Sequence, residues 1–308
     1  MKQTRPGHFG LTAMAACAGF WACWTVGPIF IKMLSGPLDV WTQNMARYAV
    51  ACVFWLPFLL LYGRGDITRL LLMKALIPAA FNVAMQTCWA GAFYYEQPAF
   101  MVLLSRTSVL WVGLFSLVFF IDERRLFKSP LFWIGTLLAV TGLAGVILSN
   151  PRFEMTTSWK GIALALGASL GWAAYAVSVK IVFRGVDSRL SFSLITIYTV
   201  LGLSALAMLL GRPAALLELS LPQVSYVVIS GVTAIALAHV FFYAAIHRIG
   251  ATIPSMINLL TPFSVLILSR IFFDEHLSSL QWVFGCCLIV GIGLSVYAQK
   301  TLPNQIIE

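Results

Sequence analysis

Charge is what this chain has least of. Only 10% of its 308 residues are charged and just 11 are Asp or Glu, where an average soluble domain carries about 25% charged residues. With 60% of the residues hydrophobic, no single soluble core could bury them all. A soluble enzyme, a disordered chain and a nucleic-acid binder are thereby excluded, and a polytopic helical membrane protein remains. Metal-binding patterns are missing as well. There is no CxxC and no His at ligand spacing, and Cys17, Cys23, Cys52, Cys88, Cys286 and Cys287 all fall in apolar runs, where they read as packing residues. HExxH, P-loop and dinucleotide fingerprints are absent too, so no cofactor, metal or ATP-driven step is expected. The net charge of +9 is scattered over short loops, which reports orientation rather than a nucleic-acid partner.

Long apolar runs fill the space that charge leaves. A helix needs ~20 residues to cross ~30 Å of hydrocarbon. Runs bounded by charge, Pro and Gly predict spans near 9–32, 40–62, 72–93, 97–120, 130–149, 160–183, 191–211, 224–246, 251–273 and 280–299. Without period-2 alternation these are helices, not barrel strands, so the expected fold is all-α with ten transmembrane helices and the bilayer as a partner. Tyr94 to Gln97 predicts a tight hairpin between spans three and four. Lys2 and Arg5 precede an apolar run, Phe9 to Ile31, too long for a signal-peptide core and read as an uncleaved span. With the N-terminus inside, 13 Lys and Arg fall on that side and five on the other, leaving Arg47 and Arg106 within spans. The bias places both termini in the cytoplasm, for a multi-pass protein of the cytoplasmic membrane.

The chain also repeats itself. Asp122-Glu123 closes the fourth span and Asp274-Glu275 the ninth, 152 residues apart. Trp21 and Trp24 match Trp172 and Tyr175 at an offset of 151, Trp133-Ile134-Gly135 resembles Trp282-Val283-Phe284-Gly285, and Arg106 maps onto Asn258. An offset of ~152 residues spans five helices. Because five is odd, the second half crosses in the opposite sense, which makes an inverted repeat of residues 1–150 and 151–308. Secondary transporters are built this way, with a site near the midplane between the repeats.

These features resemble the EamA branch of the drug/metabolite transporter superfamily. Each half starts with an aromatic-rich span (Gly19-Phe20-Trp21, Gly171-Trp172) and has a fourth span ending in Glu (Glu123, Glu275). Each half then closes with a Gly-bearing fifth span (Gly135, Gly142, Gly145; Gly285, Gly291, Gly293), and Arg47 stands where that family often has Arg. The resemblance covers 10–149 and 160–299. It implies export or exchange of a small metabolite, often an amino acid, through the cytoplasmic membrane. The four-span multidrug relatives rely on an embedded Glu for proton-coupled cation export. Here all acids lie in loops or at span ends, so a zwitterionic or anionic substrate is expected instead.

Polar side chains within spans supply the candidate central cavity. Arg106 lies nine residues into span four, ~14 Å deep, with no acid at matching depth. It either attracts an anionic substrate group or bonds freed carbonyls. Arg47 is shallower and reads as an anchor to carbonyls, or as a snorkelling residue. Trp21, Trp24 and Pro28 share one helix face, repeated by Trp172 and Tyr175. They form either a stacking wall or plain helix packing. Asn82 with Gln86, His239 with Tyr243, and Ser255, Asn258 and Pro262 form further inward stripes, as ligand contacts or as interhelical glue. Pro28 and Pro262 are expected to bend gating helices. His239 is either a proton carrier or a hydrogen-bonded core residue.

Two rivals to transport belong to other classes. Gly167-Ala168-Ser169-Leu170-Gly171 matches GxSxG, but a nucleophile elbow needs a strand-turn-helix context, so an intramembrane serine hydrolase is the remote alternative. The other is a non-transporting scaffold or lipid-moving subunit. Substrate identity, coupling ion, net direction and the choice between monomer and homodimer are not encoded legibly.

Overall fold

The computed structural model describes residues 10–62, 67–92, 95, 104–149, 158–273 and 278–301. Every regular element in them is helical. The helices are α1 (Leu11–Leu34), α2 (Val40–Tyr62), α3 (Arg69–Ala92), α4 (Ser108–Phe119), α5 (Pro130–Leu148), α6 (Trp159–Val182) and α7 (Ser188–Leu210). Next, α8 is α-helical over Leu221–Ser230, π-helical over Gly231–Leu237 and α-helical again over Ala238–Ile249. The ninth segment comes in two pieces, α9a (Thr252–Ile257) and α9b (Leu260–Phe273), and α10 covers Ser279–Lys300.

Local chemistry sets several of the helix ends. Ser278 and Gln281 form a reciprocal capping box at the start of α10, satisfying two N–H groups that a helix start leaves free. Ser129 caps α5, with Pro130 at its first position, where proline sacrifices no hydrogen bond. The outer surface is apolar: Met208 is 76% exposed and Leu209 79%. A water-facing surface does not carry such patches over its whole girth. Among the described residues eight helices are long and apolar enough to cross a bilayer, and two shorter apolar segments complete ten.

The packing obeys a two-fold exchange of halves. Helix α3 packs on α6 as α1 packs on α8; α4 packs on α6 as α1 packs on α9b; α3 packs on α7 as α2 packs on α8. The pairs α2–α7 and α5–α10 lie on the axis and map onto themselves. At the α5–α10 contact the symmetry reaches single residues. A Cβ on Gly142 would lie 2.5 Å from the Leu288 nitrogen, and one on Gly291 would lie 2.4 Å from that of Ala139. Residue 142 maps to 291 and 139 to 288, as a self-complementary interface requires. Such close backbones need small residues.

Spans four and nine, expected as continuous helices, are both broken, and in the same register. Leu104-Ser105 are helical, Arg106-Thr107 turn and helix resumes at Ser108; Met256-Ile257 are helical, Asn258-Leu259 turn and helix resumes at Leu260. Thr107 N–H donates to Leu104 O at 3.1 Å and Leu259 N–H to Met256 O at 3.0 Å; Val109 N–H donates to Arg106 O and Thr261 N–H to Asn258 O, each at 3.2 Å. Every one of these pairs is related by 152 residues.

Pro262 is therefore not where the ninth segment bends. It sits in the first turn of α9b, where its missing N–H has no helical acceptor to lose, and the bend lies ahead of it at Asn258-Leu259. The backbone of α1 stays helical through position 28, and the side chain of Pro28 lies outside the described residues. So do the Asp274-Glu275 pair and, apart from Tyr95, the expected hairpin at Tyr94 to Gln97.

Candidate functional site

The two breaks face a cavity of about 200 Å³ between the halves. Ser105, Arg106 and Ser108 line it from the first break, and Asn258 and Thr261 from the second. Successive helices alternate in direction, so Glu123, Lys180 and Gly250 gather at one end of the molecule, and Asp39 and Arg212 at the other. The lining residues of α2 (Asn44, Arg47, Tyr48) belong to its first turns, and those of α1 (Trp24, Gly27, Ile31) to its second half. The cavity therefore lies between mid-depth and the Asp39 end.

Of the expected site residues, six meet in this cavity: Trp24, Gln86, Arg106, Trp172, His239 and Asn258. Arg106 makes no hydrogen bond or ion pair among the described residues, and its Nε is enclosed without a partner. Trp24 and Trp172 meet edge to face, with ring centroids 5.4 Å apart. Trp24 donates its indole N–H to Ala234 O at 3.0 Å, a carbonyl of the π-helical stretch of α8. His239 is bonded to Ile235 O from Nδ1 at 2.9 Å, while its Nε2 is enclosed and has no partner among the described residues.

The other expected residues sit elsewhere. Trp21 donates to Ser264 Oγ at 3.1 Å, tying α1 to α9b. Asn82 is buried behind the wall, donating to Thr199 Oγ1 at 3.2 Å and contacting Tyr48. Gln86 donates to the Tyr48 hydroxyl at 3.0 Å, so Asn82 and Gln86 together position Tyr48, a cavity residue that sequence reasoning missed. Tyr175 and Tyr243 are fully buried and hydrogen-bonded to each other. With Phe20, Phe192 and Phe242, also fully buried, they plug the path from the cavity towards the Glu123 end. Ser255 is buried and its hydroxyl has no partner among the described residues. Ser169 shares a 2.8 Å hydrogen bond with Thr107, steadying the first break.

Arg47, expected as an anchor or a snorkelling residue, lines the cavity instead. It is 5% exposed and donates from Nε to Ser230 Oγ at 3.1 Å. It reaches this depth because α2 and α8 nearly touch: a Cβ on Gly231 would lie 2.8 Å from the Arg47 carbonyl oxygen. The sequence signal available was Gly231 itself, a small residue inside an apolar span.

The Glu123 end is tied shut. The Glu123 carboxylate accepts from Ala251 N–H at 2.9 Å, Thr252 N–H at 3.1 Å and Thr252 Oγ1 at 2.5 Å. It also pairs with Lys180 Nζ at 2.7 Å, while Lys180 lies 3.8 Å above the Phe120 ring. Gly250, with φ of +85°, turns the chain into this latch, and a Cβ there would lie 2.6 Å from Glu123 Cδ. One acid of the first half thus clasps α6 and the α8–α9a turn of the second.

Comparison with known proteins agrees with this architecture. The model of the EamA-like transporter family matches twice, over residues 10–148 and 159–297. The uncharacterized transporter YetK of Bacillus subtilis (strain 168) is 22% identical over 308 residues, 97% of this chain and 89% of that protein. The uncharacterized transporter sll0355 of Synechocystis sp. (strain ATCC 27184 / PCC 6803 / Kazusa) is 31% identical over 178 residues, 53% of each chain. A protein of known crystal structure is similar with a TM-score of 0.74 and 15% identity, over 94% of this chain and 99% of that one. That last likeness is one of fold alone.

Proposed function

Because the chain belongs to the EamA-like transporter family, matched twice along its length, we propose that it moves a small zwitterionic or anionic metabolite across the cytoplasmic membrane. That class includes amino acids and related compounds, exported or exchanged by alternating access between the units 1–150 and 151–308. The observation that carries the substrate class is the cavity's charge: Arg47 and Arg106 line it, and no described Asp or Glu does. A buried guanidinium without a counter-ion is costly, and a ligand acid group supplies that counter-ion.

The cavity lies towards the Asp39 end, so export releases its substrate there. The Lys and Arg bias makes that end the outer face and puts both termini inside. Loading from the other face requires the Glu123 latch and the Tyr175–Tyr243 plug to part while the halves close on the Asp39 side. Reciprocal opening of this kind needs no chemical step. The test is counterflow into proteoliposomes preloaded with mixed amino and organic acids. Accumulation of at least one labelled solute is expected, and a flat result across the whole mixture refutes the reading.

A further inference from the structure

Two guanidiniums and no described carboxylate line the cavity, and from this imbalance we infer that the substrate is a flat organic acid with no ammonium group. This rests on the transport reading above and narrows it from zwitterionic or anionic to anionic.

On the donor side, among the described residues, Arg106 has no partner and Arg47 only a neutral one, Ser230. The Asn258 amide nitrogen is likewise uncommitted among the described residues, since only its Oδ1 is bonded, by Thr261 at 3.0 Å. Behind them stand two helix starts. Helix α4 begins at Ser108 and α9b at Leu260, on either side of the cavity, and a helix N-terminus carries about half a positive charge. Three of the acceptors an ammonium would use are already engaged. Ala234 O takes the Trp24 indole, Ile235 O takes His239, and Asn258 Oδ1 takes Thr261. His239 Nε2 is enclosed, without a partner among the described residues.

The electrostatics point the same way. A like charge held ~6 Å from a guanidinium is disfavoured roughly 100-fold at an effective dielectric of about 20. A zwitterion brings that charge into a site with two guanidiniums, whereas a plain acid does not. Trp24 and Trp172 both pack against Phe242, with ring centroids at 5.1 and 5.3 Å. What they present to the cavity is an apolar wall suited to a planar body.

Phenylpyruvate and phenylalanine test this directly, because they share ring and carboxylate and differ at the ammonium-bearing carbon. Binding of each to the purified full chain is read by thermal shift and by quenching of tryptophan fluorescence, with phenethylamine as the cation-only control. Phenylpyruvate is expected to bind at least about tenfold tighter than phenylalanine, and phenethylamine not at all. Arg106→Gln should remove the preference and Arg106→Lys restore part of it. Equal or tighter binding of phenylalanine, or no binding of phenylpyruvate, overturns the inference. Phenylalanine binding would leave the broader transport reading intact, because a zwitterion is within it. Only flat counterflow across the acid mixture brings that reading down too.

Discussion

The two helix breaks share a backbone and differ in side chains. At both, the chain makes the same tight turn with the same pair of i→i−3 hydrogen bonds. One turn carries Arg106 and the other Asn258, and each hydroxyl stands differently, Thr107 against Ser169 and Thr261 against Asn258. Backbone symmetry is what an inverted repeat needs to exchange its two open states, since each half must be able to take up the other's shape. A substrate has no such symmetry, so the side chains around it need not have any. The aromatic wall follows the same logic. Trp24 and Trp172 meet in the cavity although they are not equivalent by the repeat, while their counterparts Tyr175 and Trp21 face elsewhere.

Removing the charge from the first break has the largest expected effect. Hydrogen bonds to a charged group contribute about 1.5–3 kcal/mol each. Arg106→Ala should therefore raise the half-saturating concentration in counterflow by roughly 10- to 150-fold. Folded yield and melting temperature should stay at the parental level or rise, because the unpartnered guanidinium stabilises nothing described. A variant with full flux would show that the difference between the two breaks is unrelated to substrate.

The next largest effect contrasts the two ends. Glu123→Gln removes the ion pair with Lys180 and sets an amide against the Ala251 and Thr252 N–H groups. Breaking a buried pair from one side costs about 3–5 kcal/mol, and Asp122, 3.2 Å from Lys180, recovers part of it. A loosening of about 2 kcal/mol would raise the population open at that end roughly 30-fold. The readout is labelling of Ser178→Cys in a background lacking reactive native cysteines, since Ser178 is buried near that end of α6. Asp39→Asn, at the far end, should leave the labelling rate unchanged. Equal acceleration by both would mean that Glu123 is not a latch.

Much of this architecture was legible in the residues, and the illegible part has a physical cause. Hydropathy locates helices because lipid admits no other open-chain structure, and the 152-residue offset exposes the repeat. The breaks are invisible to the same reading. Ser105-Arg106-Thr107 and Ile257-Asn258-Leu259 contain no Gly or Pro, and tertiary bonds such as Thr107 to Ser169 hold the turn. Helical spacing also identifies a face but not the depth at which a cavity ends. Trp172 and Tyr175 share a face, yet the first lines the cavity and the second belongs to the plug beneath it. Arg47 was misplaced for a related reason. Its depth along α2 says nothing of how closely Gly231 lets α8 approach.

Asn258→Ala sharpens the comparison of the breaks at smaller scale. A neutral hydrogen bond contributes about 0.5–1.5 kcal/mol, so half-saturation should shift only ~2- to 10-fold. Its loss frees the Thr261 hydroxyl, and the melting temperature should drop slightly, the opposite sign from Arg106→Ala. A loss of flux as large as that of Arg106→Ala would make the two turns functionally equivalent.

The smallest expected effect concerns the acids ahead of the second helix in each half. Partial burial pushes the Asp39 carboxyl up, but bonds from the Thr42 amide and hydroxyl and from the Arg212 amide outweigh it and hold Asp39 below 3.8. Asp187 is also held below 3.8, chiefly by the Arg189 guanidinium. A carboxyl depressed in the fold binds its proton more readily once unfolded, so its stabilisation is present above the ordinary value and lost as pH falls through the folded one. Melting temperature in detergent should therefore be flat with respect to these two groups from pH 7 to about 5 and fall below about 4. Both carboxyls are partly exposed, which limits each contribution to under about 1 kcal/mol. Among the described residues Asp187 bonds only within its own helix start, whereas Asp39 reaches across to Arg212 of the other half. Asp39→Asn should thus flatten the acid limb more than Asp187→Asn, and an equal effect of the two would show that the cross-half bond adds no stability.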